Sequence, residues 1–110
     1  RGLAETSRLV VSLGGKIETV FGLSGVGDMA LSSLSPTSRN FAWGYSLAKN
    51  QTPHEVLVEG INAAKSAMIN AKKLNIDMPI TELVANSSQN NLDLKKEIEK
   101  MLSRPPKLEW

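Results

Sequence analysis

Apolar residues recur at helical intervals along most of this chain. In residues 1–13, Leu3, Thr6, Val10 and Leu13 follow one face, Glu5 can pair with Arg8 one turn on, and Gly14-Gly15 supplies a stop. This pattern predicts the end of a longer helix. Residues 18–23 predict a short helix, followed by a glycine-rich turn at Gly25-Val26-Gly27. Residues 28–34 are mostly apolar and are expected to be buried, and Ser35-Pro36 punctuates the chain after them.

A further helix is predicted over residues 38–49. Thr52-Pro53-His54-Glu55 offers a cap, a proline in the first helical position and a glutamate placed to close a capping box, so a short helix is expected there. Residues 59–74 form the clearest amphipathic segment. Ile61, Ala64, Met68, Ala71 and Leu74 share one face, while Asn62, Ser66 and Lys73 lie away from it. Asp77 and Pro79 restart a helix through about Asn86. Asn91 or Asp93 can cap a last one in which Leu94, Ile98, Met101 and Leu102 align, ended by Pro105-Pro106. The chain shows no period-two strand pattern, internal repeat or low-complexity linker. The expected fold class is all-α, with residues 1–110 as one domain.

Length and charge narrow the picture only a little. With 110 residues, a single domain buries roughly two-thirds of the surface of its unfolded chain, which is enough for one core. Thirteen Lys and Arg against eleven Asp and Glu leave a net charge of +2, too small and too scattered to point to a nucleic-acid partner. The absence of cysteine excludes disulfides, thiolate nucleophiles and Cys-based metal sites, and fits a reduced, cytoplasmic setting. No apolar run approaches the roughly 20 residues of a membrane span, and no signal-peptide pattern opens the chain. Arg1 opens directly onto a helical pattern, so the sequence is expected to begin inside a longer protein.

Several short motifs carry polar chemistry. Residues 25–30, Gly25-Val26-Gly27-Asp28-Met29-Ala30, satisfy the G-x-G-x-x-A shorthand of a dinucleotide-binding turn. That match fails on context: no strand precedes it, no βαβ unit surrounds it, and Asp28 would bring negative charge to a pyrophosphate. Tight turning and close helix packing account for Gly25 and Gly27. Asp28, between a glycine turn and the apolar run Met29-Ala30-Leu31, would be costly unless paired or hydrogen-bonded, so it is expected to have a partner. A helix cap is its commoner role, a ligand-orienting carboxylate the sharper one.

Ser38-Arg39-Asn40 sets a hydroxyl, a guanidinium and an amide at an expected helix start, where the backbone already favours an anion. Arginine adds a fork that matches phosphate oxygens. On residues alone, a capping Ser38 beside an ordinary exposed Arg39 is the plainer account. Glu59 can serve as a first-turn dipole partner or as an acceptor for a ligand hydroxyl. His54, the sole histidine, has no clustered partners at metal-ligand spacing, so no metal site is expected. No serine is linked to a base and an acid as a hydrolase requires.

Taken together, Arg1-Gly2-Leu3-Ala4-Glu5, Gly22-Leu23-Ser24-Gly25-Val26-Gly27-Asp28, Ser38-Arg39-Asn40, Glu59-Gly60 and Met78-Pro79-Ile80 occur in the order found in bacterial NAD(P)-dependent glycerol-3-phosphate dehydrogenases. Over residues 1 to about 85 the chain resembles their C-terminal domain. The resemblance implies a multi-helix substrate domain of the 6-phosphogluconate dehydrogenase C-terminal-like type, detached from its Rossmann domain. The implied enzyme interconverts dihydroxyacetone phosphate and sn-glycerol 3-phosphate, supplies the backbone of phospholipids, and takes its hydride from NADH or NADPH.

Carried over residue by residue, the resemblance assigns Asp28, Ser38, Arg39 and Asn40 to the substrate, and Arg39, Leu57 and Glu59 to the nicotinamide nucleotide. The family's catalytic lysine lies on a helix upstream of Arg1, so no catalytic residue is expected in this chain. A homodimer is the expected assembly. Family sequences commonly continue S-R-N with basic residues, whereas Phe41-Ala42-Trp43 follows here. Two rivals are the helical domain of another hydroxy-acid dehydrogenase and a small helical interaction module. An exposed apolar helix face would mark the second.

Overall fold

The computed structural model describes residues 1–51, 58–88 and 92–105. Their regular structure is entirely helical: α1 (Gly2–Ser12), α2 (Ile17–Phe21), α3 (Leu23–Leu34), α4 (Arg39–Ala48), α5 (Val58–Lys73), α6 (Pro79–Asn86) and α7 (Leu94–Leu102). The all-α expectation therefore holds among the described residues. The capping box at Thr52-Pro53-His54-Glu55 lies outside them, as do Leu57, Asn91 and Pro106. No helix of the described residues is long and apolar enough to cross a membrane.

Chain reversals follow from backbone chemistry at three helix ends. After α1, Gly14 takes φ 91°, its amide donates to the Val11 carbonyl, and Gly15 donates to the Val10 carbonyl. This double bond satisfies carbonyls that a helix end leaves open. Asn50 and Asn75, both at φ 54°, do the same after α4 and α5. Gln51 then reaches Ser46, and Ile76 reaches Ala71. The first of these stops is legible in the sequence because glycine announces it. Asparagine tolerates the left-handed region too, with less visible effect.

The core lies where α1, α5 and α6 meet, with α2 contributing Val20. Ala4, Val20, Ile61, Ala64, Ala71, Met78 and Ala85 are buried, and four of these seven are alanine, so the helices approach closely through small side chains. Ile61, Ala64 and Ala71 fall on the face of α5 expected to pack, but Leu74 is 42% exposed because the chain turns away at Asn75. The radius of gyration is 14.2 Å, slightly above the ~13 Å of a compact domain of about 100 residues.

The sharpest departures from expectation occur at α3. Gly25 and Gly27 form no turn but lie within the helix. Asp28 is an exposed mid-helix residue instead of a cap, so it needs no charge partner. Leu31 and Leu34 are 66% and 76% exposed, because only the opposite side of α3 meets the rest of the fold. Hydrophobicity reports that a residue wants burial, and it is silent on whether the covering surface belongs to the same segment of chain.

The two glycines also differ from each other. A Cβ on Gly25 would collide with the Val20 carbonyl, whereas one on Gly27 would meet nothing within 4 Å. Close packing explains Gly25 but does not explain Gly27. Gly25→Ala is expected to destabilise this chain, and Gly27→Ala to stabilise it by up to about 1 kcal/mol through helix propensity. Denaturant titration of both variants checks the opposite signs.

Candidate functional site

α4 is where the expected anion chemistry gathers. Its N-cap is Ser38, in extended conformation, whose hydroxyl oxygen accepts a hydrogen bond from the Phe41 amide at 3.4 Å. The Ser38 amide in turn donates to the Ser35 carbonyl at 3.0 Å, and the Ala42 amide closes the first helical bond onto the Ser38 carbonyl. In the first turn, this leaves the Arg39 and Asn40 amides without an intrahelical acceptor. Ser38 is half-buried, while Arg39 and Asn40 are exposed. Two backbone donors, a guanidinium, a carboxamide and a serine hydroxyl thus share one helix end.

Glu59, in the first turn of α5, comes to 4.0 Å from the Arg39 guanidinium. The side chains are 90% and 73% exposed. A pair this wet contributes between zero and about 1 kcal/mol, so it restrains Arg39 weakly and an incoming dianion can displace it. Asp28 stands apart on α3, with no hydrogen bond or ion pair to Ser38, Arg39, Asn40 or Glu59. The structure therefore brings together four of the expected site residues, and leaves Asp28 on the neighbouring helix that packs against α4. Leu57 lies outside the described residues. Among the described residues no cluster of His, Asp and Glu is arranged to hold a metal ion.

A second polar group, not anticipated from the sequence, fixes the frame around α1. Glu5 is buried at 3% exposure and accepts from the Ile80 amide at 2.6 Å, the Thr81 amide at 3.0 Å and the Thr81 hydroxyl at 2.9 Å. It caps α6 and is not the partner of Arg8. Arg8 instead donates twice to the Asp77 carbonyl, at 2.9 and 3.2 Å. Arg104 pairs with the Asp77 carboxylate, and Arg1 donates to the Met101 and Arg104 carbonyls. A signal for this was present. α6 starts at Met78-Pro79, and methionine cannot cap, so its free amides must find an acceptor elsewhere in the chain.

Comparison with known proteins decides the family. Residues 1–99 match the model described as NAD-dependent glycerol-3-phosphate dehydrogenase C-terminus. The chain belongs to this family. The match runs past residue 85, where the sequence resemblance stopped, and takes in most of α7. Curated relatives named glycerol-3-phosphate dehydrogenase [NAD(P)+] include one from Rhizobium etli, 45% identical over 108 residues, covering 96% of this chain and 33% of the relative. One from Ligilactobacillus salivarius is 44% identical over 115 residues, covering 99% and 34%. One from Listeria monocytogenes is 39% identical over 115 residues, again covering 99% and 34%. The chain thus spans about a third of the length of these relatives. No solved structure matches it.

Proposed function

We propose that this chain is the substrate-binding region of a longer oxidoreductase that interconverts dihydroxyacetone phosphate and sn-glycerol 3-phosphate with NADH or NADPH. The observation that carries the reading is the start of α4, where Arg39 extends into solvent beside the Ser38 cap and Asn40. A phosphate dianion there would meet the fork of Arg39, the open amides of the first turn and the positive end of the helix dipole. Asn40 and the Ser38 hydroxyl would donate to the remaining oxygens. Asp28, exposed on the adjacent helix, would accept from substrate hydroxyls or hold a nearby ammonium group.

The nicotinamide cofactor supplies the hydride. Arg39 and Glu59 are the described residues that would border it, and their exposed, loosely paired side chains suit a nucleotide approaching from outside this helical region. Leu57 is assigned beside them by resemblance. The cofactor cradle and the family's proton-transferring lysine would lie upstream of Arg1. The reading includes a cytoplasmic homodimer feeding phospholipid synthesis, with no nucleic-acid partner.

The test is to assay the protein encoded by the complete gene with dihydroxyacetone phosphate and NADH or NADPH. Phosphate-dependent oxidation of the reduced cofactor is expected, and a complete protein without it would overturn the reading. Residues 1–110 alone are expected neither to bind NADH tightly nor to oxidise glycerol 3-phosphate. Robust turnover by the purified chain would show that the chemistry resides here after all.

A further inference from the structure

A cavity of about 90 Å³ lies between α1, the start of α6 and the end of α7, and α4 contributes no residue to it. Its wall is partly apolar, through Ala4, Ile80 and Met101, and it carries three arginines, Arg1, Arg8 and Arg104. These are linked through shared partners. Arg8 donates through Nε and Nη2 to the Asp77 carbonyl, Arg104 pairs with the Asp77 carboxylate, and Arg1 donates to the Arg104 carbonyl. Two carboxylates line the same cavity, Glu5 and Asp77. Both Glu5 oxygens accept from the first turn of α6, so that charge is spent on the positive end of a helix. Asp77 answers Arg104. Among the described residues, Arg1 and Arg8 hydrogen-bond only to main-chain carbonyls, which are dipoles and not anions. Like charges gathered round a confined space repel, and the more so as water is excluded.

We propose that this cavity is an anion site that takes a phosphate dianion, with Arg1 and Arg8 as its principal donors. Two guanidiniums that lack a carboxylate partner match the two negative charges of phosphate better than the single charge of a carboxylate. A guanidinium has five N–H donors in a planar fork that fits phosphate oxygens, and the carbonyl bonds described above leave several of them unused on each arginine. The volume has room for a few water molecules, which suits a phosphate group and excludes a whole nucleotide. The occupant is inorganic phosphate, or the phosphate group of a small monoester whose remainder lies outside the opening. None of this depends on the substrate reading at α4, because Ser38, Arg39 and Asn40 are not part of the cavity. Bound phosphate would bridge α1 to the end of α7, where Arg104 is already held by Asp77.

The test is amide hydrogen exchange in the complete protein, read by peptide mass spectrometry over residues 1–8 and 94–105. Inorganic phosphate is titrated against sodium chloride at constant ionic strength. Exchange in both segments is expected to slow in proportion to one plus the ratio of phosphate concentration to Kd, about tenfold at ten times Kd. Methyl phosphate is titrated in parallel, and the tighter of the two names the source of the phosphate group. Arg1→Gln is expected to raise Kd at least about tenfold, and Arg1→Lys, which keeps the charge, by less. An arginine that only fastens α7 would change the exchange rate but not its dependence on phosphate. Arg8→Gln gives the same readout if Arg1→Gln fails to fold. Arg39→Ala is expected to leave the phosphate response of these segments intact whatever it does to turnover, so the failure of one reading is distinguishable from the failure of the other. Slowing by chloride equal to that by phosphate overturns the proposal, as does a response that survives Arg1→Gln and Arg8→Gln or one that is lost in Arg39→Ala.

Discussion

On the function proposed above, Arg39→Ala in the complete protein is expected to lower kcat/KM for dihydroxyacetone phosphate by about tenfold to about a hundredfold, with Arg39→Lys falling between it and the unsubstituted protein. The range follows from the 1.5–3 kcal/mol or so that a hydrogen bond to a charged group contributes. Lysine keeps the charge but not the two-pronged geometry, and alanine loses both. The fold should be unaffected, since the side chain is 73% exposed and its pairing with Glu59 is loose. Unphosphorylated dihydroxyacetone supplies the control. It has no dianion to lose, so its poor turnover should change much less. Steady-state kinetics of the three proteins on both substrates decide the matter, and equal losses on the two would mean that Arg39 serves the cofactor or the fold.

Glu59→Gln offers a smaller, related test. Removing the carboxylate 4.0 Å from Arg39 abolishes a weak competitor for the guanidinium, so inorganic phosphate should inhibit the complete enzyme at equal or slightly lower concentration, by no more than about threefold. A large loss of affinity would instead make Glu59 a contributor to anion binding, which its charge argues against. NADH affinity, measured in parallel, reports its assigned contact with the cofactor.

What could be read from the sequence follows from the range of each signal. The helices at residues 2–12, 39–48, 58–73 and 79–86 come from local periodicity and local stops, and the sequence pattern located them within a few residues. Ser38 as cap of α4 and Asp93 as cap of α7 are equally local, since each side chain reaches an amide three residues on. The order of the short motifs was sufficient to recognise the family. By contrast, the error at α3 came from assuming that an apolar run finds its cover within the same 110 residues. Glycines inside a run were also read as a turn, although Gly25 is needed for a helix crossing close to Val20. The exposed apolar face looked for as the mark of an interaction module is present on α3.

The contacts that escaped sequence reading are those between residues far apart in the chain, and Glu5 shows their expected weight. Its carboxylate is buried, and both oxygens accept from the first turn of α6, seventy-five and seventy-six residues away. Met78 gives α6 no side-chain cap, so Glu5→Ala leaves the Ile80 and Thr81 amides and the Thr81 hydroxyl without an acceptor. It also leaves a small void between α1 and α6, and removes a negative charge from the positive end of a helix. The expected loss is about 3 kcal/mol of unfolding free energy, a large share of the 5–15 kcal/mol or so typical of a domain. Glu5→Gln keeps one acceptor oxygen but turns an NH2 group toward amides that also donate, so it should lose most of the same stability. Glu82→Gln is the control. Glu82 lies in the same first turn of α6 but is exposed, and its loss should stay within about 0.5 kcal/mol. Urea denaturation of the three variants, with unchanged slopes to show that the unfolded states are comparable, decides between two accounts. If Glu5→Ala is no more destabilising than Glu82→Gln, the cap is dispensable, and α6 is held by its apolar packing.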